Sequence, residues 1–280
     1  LAGLTTHARR DGDEWIVTGQ KVWTTGAHHA AYGMLLVRTD PDVPKHQGIS
    51  YFAFPMRQDG VVVRPLRQMN GRASFNEVFL DEARVPHANL VGGLHGGWAV
   101  ARTTLAHERG LAAGLFGSLP PASGGRTCQE AAAEAAEYLK TYEWYPQRAG
   151  RPDLVAPVAR RLGRFGDAVL CQEIAALHTQ QRAAQITAQR AVEARKAGRP
   201  GPEGSLGKLH GSNIARAAAA AHSHVAGAHG MLSGPESLEG GIVAEVLVSV
   251  PGQSIAGGTD EIQHDIIGER VLGLPKEPSV

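Results

Sequence analysis

Cysteine is nearly missing: two residues in 280, Cys128 and Cys171, too far apart for a CxxC or zinc pattern. That excludes a disulfide-stapled scaffold and a thiolate metal centre, and it fits a reducing cytosol. Charge imbalance is missing too. A formal net charge of +1 gives no electrostatic footing for nucleic acid or an anionic membrane surface. No apolar run approaches the roughly 18–20 residues of a membrane helix. The opening LAGLTTHARRDGDEW lacks the continuous apolar core of a signal peptide. It also lacks an initiator methionine and begins inside a polar strand-and-turn pattern, so it reads as a piece of a longer protein. The 13 histidines include no i, i+4 pair: His28 and His29 are adjacent, and His222 and His224 are two apart. No metal site is expected.

What is present is an ordinary globular composition, 42% hydrophobic and 20% charged, in two halves of different period. EWIVTGQKVWTT alternates around Trp15, Val17 and Val22, with Thr18-Gly19 as a turn candidate. GMLLVRTD, GISYFAFPM, GVVVRPLRQM and NEVFLDEARVP are further short β-branched or aromatic runs. Strands without intervening helices predict a sandwich or barrel. After VGGLHGGW the period becomes helical, through WAVARTTLAHERGLAAGLFG, CQEAAAEAAEYLKTY, the long Ala- and Arg-rich stretch from Asp153 to Gly198, LGKLHGSNIARAAAAAHSHVAGAHG, LEGGIVAEVLVSVPG and DEIQHDIIGERVLGL. Long helical segments on short loops predict an antiparallel bundle. The expected class is α+β: a partial antiparallel β-barrel or sandwich domain over 1–92, then an antiparallel four-helix bundle over 93–280.

Some apparent motifs carry nothing. GGLHGG at 92–97 lacks GxGxxG spacing and a βαβ context. Ser205-Leu206-Gly207-Lys208 fits S-x-x-K without its companion elements and reads as a helix start. Three places carry more. Glu108 falls within an apolar stripe of Trp98, Ala101, Leu105, Ala112 and Leu115. It is expected to be either a buried ion pair with Arg109 or Arg102, or a general base with a raised pKa. Gly257-Gly258-Thr259 precedes Asp260-Glu261 at a helix start. Thr259 is an N-cap candidate, and the glycines allow close approach of a phosphate or flavin. Trp23-Thr24-Thr25-Gly26 ends a strand, as an edge cluster or as a wall for a planar cofactor.

Together GQKVWTTGAHHA, GISYFAFPM with RPLRQMNGRASFNEVFLDEARVP, GWAVARTTLAHERGLAAG and GGTDEIQHDIIGERVLGLP resemble the acyl-CoA dehydrogenase family, in the family's order and over nearly all of the chain except about 118–155. The resemblance implies the last part of a middle β-domain plus a C-terminal bundle. The N-terminal α-domain and a Thr-Glu-Pro-Gly-Ala-Gly-Ser-Asp-like flavin loop would lie before Leu1. It implies FAD, an acyl-CoA thioester oxidised at Cα–Cβ, and electron-transfer flavoprotein as acceptor. It also implies a homodimer or homotetramer, with no nucleic acid and no membrane span, in the cytoplasm. Carried over by position, Trp23 would flank the isoalloxazine, Thr25 would hydrogen-bond its N5 edge, and Thr24 between them would be a further cofactor contact. Gly258, Thr259 and Glu261 would contact the cofactor from the bundle side. Where one branch of the family has its catalytic glutamate, this chain has Gly257. In another branch the base comes from the earlier helix, here Glu108, with Arg109 holding the local charge.

Two departures stand out. PQRAGRPDL replaces the family's Arg-x-x-Phe-Gly, leaving Arg148 or Arg151 as substitutes, and HSHVAGAHG replaces a Gln-containing segment before a Gly-Gly turn. Both alter the implied cross-subunit adenine contacts and suit an oligomer of unlike subunits. The functional alternatives are therefore an active dehydrogenase, a catalytically silent structural subunit of a heteromeric complex, and an oxidase-like relative.

Overall fold

The computed structural model describes residues 1–112, 125–126, 128–130, 146–199, 201–234 and 236–276. The chain divides into two compact units, Leu1–Ala112 and Ala113–Val280.

The first unit is a seven-stranded sheet. Its strands are β1 His7–Asp11, β2 Glu14–Thr25, β3 Tyr32–Arg38, β4 Ile49–Pro55, β5 Val61–Leu66, β6 Phe75–Pro86 and β7 Leu90–Val91. The order is β5-β6-β2-β1-β3-β4-β7. Neighbours are antiparallel except β1 and β3, which meet in parallel at His7 and Arg38. No pairing joins β5 to β7 among the described residues, so backbone hydrogen bonds do not close a barrel. The period-2 pattern puts Trp15 and Val17 of β2 on the core face, with Leu35, Val37, Phe52, Phe54, Val78, Leu80, Ala83 and Val85. Full burial of Phe52 and Phe54 contributes about 2–3 kcal/mol each.

Thr18-Gly19 is not a turn. β2 runs through it with a register shift between Val17 and Gly19, and a Cβ at Gly19 would come within 2.7 Å of the Thr6 backbone. The glycine lets β2 bulge against the chain beside it. Between the later part of β2 and β3 a side chain stands in for a ladder: Lys21 Nζ donates to the Leu36 carbonyl at 2.7 Å. Burial lowers the Lys21 amine to about 8.

Helix α1, Gly97–Ala112, groups with the sheet, where the sequence pattern ended the β-domain at 92. The reason is local: Gly96 bridges Ile49, and Trp98 packs edge-on against His46 at 4.6 Å.

The second unit contains α2 Pro152–Arg161, α3 Ala168–Lys196, α4 Glu203–Ala226, α5 Ile242–Ser249, α6 Pro251–Ile255 and α7 Asp260–Arg270. The stretch read as one long helix from Asp153 is broken, because Gly163 adopts φ +67 before a 3-10 turn. Asp167 then starts α3, accepting from the Val169 and Leu170 amides. Alanines of α4 let its neighbours close in. Ala218, Ala221 and Val225 pack with Val155, Val158, Leu170 and Leu177, and Ala215 and Ala219 pack with Val246 and Val250. Most of the expected helix over 128–142 lies outside the described residues. No helix among the described residues is long and apolar enough to cross a membrane.

Candidate cofactor site

Trp23 sits in a defect of β2. The register passes from Lys21–Val78 to Thr24–Asn76, so Val22 and Trp23 together oppose Glu77. Trp23 takes φ +61, a left-handed conformation that costs a non-glycine residue about 1 kcal/mol or more. The residue is 59% exposed, its indole held edge-on by Phe75 at 5.8 Å. Thr24 and Thr25 follow at once, paired with Asn76 and Phe75 of β6. An exposed planar face at a strained bulge, next to two hydroxyls, suits an aromatic ring system. An edge-packing cluster with Phe75 is the alternative reading of the same geometry.

The second cluster lies in the helical unit. Thr259 is the N-cap of α7, its hydroxyl accepting from the Ile262 amide at 3.4 Å. Gly257 and Gly258 are both exposed. At Gly258, φ is +92, and a Cβ would stand 2.6 Å from the Gln263 amide nitrogen. The turn therefore lies flat on a buried glutamine, whose Nε2 donates to the Gly257 carbonyl at 3.4 Å. Glu261 is exposed. Its carboxyl is lowered by its own backbone amide and by the Thr259 hydroxyl.

Asp260 behaves differently from Glu261. It is buried, bonded to Lys208 Nζ at 2.5 Å and to Arg216 at 2.7 Å. Burial alone would raise its carboxyl, but hydrogen bonds from Lys208, Arg216 and Ser212 outweigh that and hold it far below the usual carboxylate range. Lys208 also donates to the Ser254 carbonyl at 2.9 Å. The knot joins α4, α6 and the first turn of α7 behind the Gly-Gly-Thr turn.

Glu108 corrects an expectation. It lies on α1 but is exposed, and Leu105 of the supposed apolar stripe is 37% exposed. Arg102 is exposed as well, so no buried ion pair joins it to Glu108. The stripe fails because Ala101 alone of its described members is fully buried. The side chain of Arg109 lies outside the described residues.

Residues 1–83 match the middle domain of acyl-CoA dehydrogenases, and residues 152–272 match their C-terminal domain. The chain belongs to the acyl-CoA dehydrogenase family. It is 37% identical to acyl-CoA dehydrogenase FadE34 of Mycobacterium tuberculosis, over 99% of this chain and 34% of that one. Its fold superposes on the Tcur3481-Tcur3483 steroid ACAD with a TM-score of 0.78 at 25% identity, over 99% of this chain and 65% of the other. The ChsE4-ChsE5 complex from Mycobacterium tuberculosis gives 0.72 at 27% identity, over 98% and 65%. The chain thus spans under two thirds of each of these relatives.

Sequence reasoning missed Asn76, Arg216 and Gln263, and the pairing of Lys208 with Asp260. Lys208 surfaced only inside S-x-x-K and was rightly set aside as part of a helix start. Its partner Asp260 is 52 residues away, beyond any spacing argument. Gln263 could have been found, since an amide at the i+5 position from a Gly-Gly turn is placed to brace it.

Proposed function

We propose that the protein containing this chain is an FAD-dependent acyl-CoA dehydrogenase, oxidising the Cα–Cβ bond of an acyl-CoA thioester. The observation that carries the cofactor reading is the bulged, left-handed, exposed Trp23. Phe75 packs on the indole edge-on, and a stacked ring would cover its remaining exposed surface. The Gly257–Thr259 turn, with both glycines exposed, is a second candidate contact for the cofactor, in the helical unit. Trp23, Thr24 and Thr25 are the FAD contacts assigned to the first unit, and Gly258, Thr259 and Glu261 are those assigned to the second, each set taken by itself. When bound, FAD supplies the acceptor for the two electrons that leave Cβ with hydrogen.

Glu108 removes the α-proton, and Arg109 steadies the charge beside it. A thioester α-hydrogen is weakly acidic, and a water-covered carboxylate is a poor base towards it. The reading therefore requires the acyl chain to strip water from Glu108 as it binds. Glu108→Gln in the full-length protein should lower turnover by about 10²–10⁴-fold while flavin stays bound. Near-full turnover in that variant sinks the assignment. The protein works in the cytoplasm, passes its electrons to electron-transfer flavoprotein, and assembles as a homodimer, a homotetramer or a complex of unlike subunits.

The exposure of Glu108 favours a second reading, a catalytically silent subunit that completes a partner's flavin site. The flavin-to-protein ratio of the purified complex separates the two: one flavin per copy supports the first, and half that supports the second.

A further inference from the structure

We propose that Asn76 is a positioning residue for the Trp23–Thr25 segment, tying the Thr24 carbonyl and the His28 ring to β6. Asn76 is fully buried. Its Nδ2 lies 3.0 Å from the Thr24 carbonyl oxygen and 3.1 Å from His28 Nδ1. A carbonyl oxygen only accepts, so the nitrogen end of the carboxamide faces Thr24. That nitrogen carries two hydrogens and no acceptor capacity. The second hydrogen therefore goes to His28 Nδ1, which must be unprotonated. His28 is fixed as the tautomer that carries its hydrogen on Nε2, next to the bulge.

The tie sits where the strand is weakest. The ladder slips between Lys21 and Thr24, Trp23 is strained, and the chain turns at Gly26, whose carbonyl accepts from the His29 and Ala30 amides. Phe75 grips the indole, while its neighbour Asn76 grips the next carbonyl and the far side of the turn. The remaining Asn76 oxygen, Oδ1, is buried with no partner among the described residues. An apolar side chain there would spare that cost, so packing alone does not account for an asparagine.

The test combines selective ¹⁵N-histidine spectra of the full-length protein with flavin titration; only the titration rests on the FAD reading. In the wild type, His28 should show a single Nε2–H tautomer with a hydrogen-bonded Nδ1. Asn76→Leu should mix the tautomers and weaken flavin binding about tenfold. Val78→Ala, a core truncation on the same strand, should lower stability while leaving both signals alone. Unchanged His28 nitrogens in Asn76→Leu, or equal flavin loss in Val78→Ala, overturns the proposal. A wild type that binds no flavin refutes the FAD reading, and the nitrogen spectra then decide the positioning claim by themselves.

Discussion

Replacing Asp260 with alanine removes the centre of the knot behind the Gly-Gly-Thr turn. The side chains of Asp260 and Lys208 are 10% and 14% exposed, whereas that of Arg216 is 50% exposed. Breaking a buried pair by deleting one partner costs about 3–5 kcal/mol. Arg216 can return to water and adds little, since exposed pairs are worth roughly 0–1 kcal/mol. Lys208 keeps the Ser254 carbonyl, which points to the low end, about 3 kcal/mol. For 150–250 residues each kcal/mol moves the midpoint by about 2–4 °C, so the helical unit should melt about 6–12 °C lower by calorimetry. A pH series adds a second arm. The Asp260 carboxyl is depressed in the folded state, so its contribution is complete above the ordinary value of 3.8 and drains away as pH falls below it. The gap between wild type and variant should therefore be full at neutral pH and narrow in acid. A loss under about 1 kcal/mol at neutral pH, the value of an exposed pair, or a gap that stays constant into acid, refutes the knot as a stabilising unit.

Gly258→Ala should destabilise the helical unit by about 1–3 kcal/mol. The new Cβ must be held at φ +92 and meets the Gln263 amide at 2.6 Å; denaturant titration reads the loss, and a neutral result would show the turn free to move. His222 gives the opposite handle from Asp260. Burial pushes its imidazole below the usual 6.5, against the pull of its hydrogen bonds to the Arg151 and Gly150 backbone. The unfolded chain then takes up a proton that the folded chain refuses, so stability should fall as pH drops below about 6.5. His222→Gln should flatten that slope in acid-unfolding curves, and an unchanged slope assigns it to other groups.

The periodic parts of the chain were readable. Every apolar run in the first half became a strand, because alternation with β-branched residues leaves one face to bury. Thr259 was readable as a cap, since a hydroxyl before acidic residues has few other uses at a helix start. Thr18-Gly19 was not, because a turn and a bulge both want a glycine with unusual φ, and only the neighbouring chain at Thr6 chooses between them. The expected burial of Glu108 failed for a related reason. Helical spacing says which residues share a face, but not whether anything covers it. The 3-10 break at Gly163 was hidden by strong helix formers on either side.

The Lys21 amine spans β2 and β3 where no ladder pairs them among the described residues. Elsewhere in the sheet, rows of amides and carbonyls resist shear together. Along this seam an aliphatic stem and its donor take the place of a ladder, with the Thr6 hydroxyl on the Gln20 carbonyl beside them, and opening such a link breaks one hydrogen bond. Past that link the hold on the indole two residues further on comes from the other side, through Phe75 and the pairing of Thr24 and Thr25 with β6.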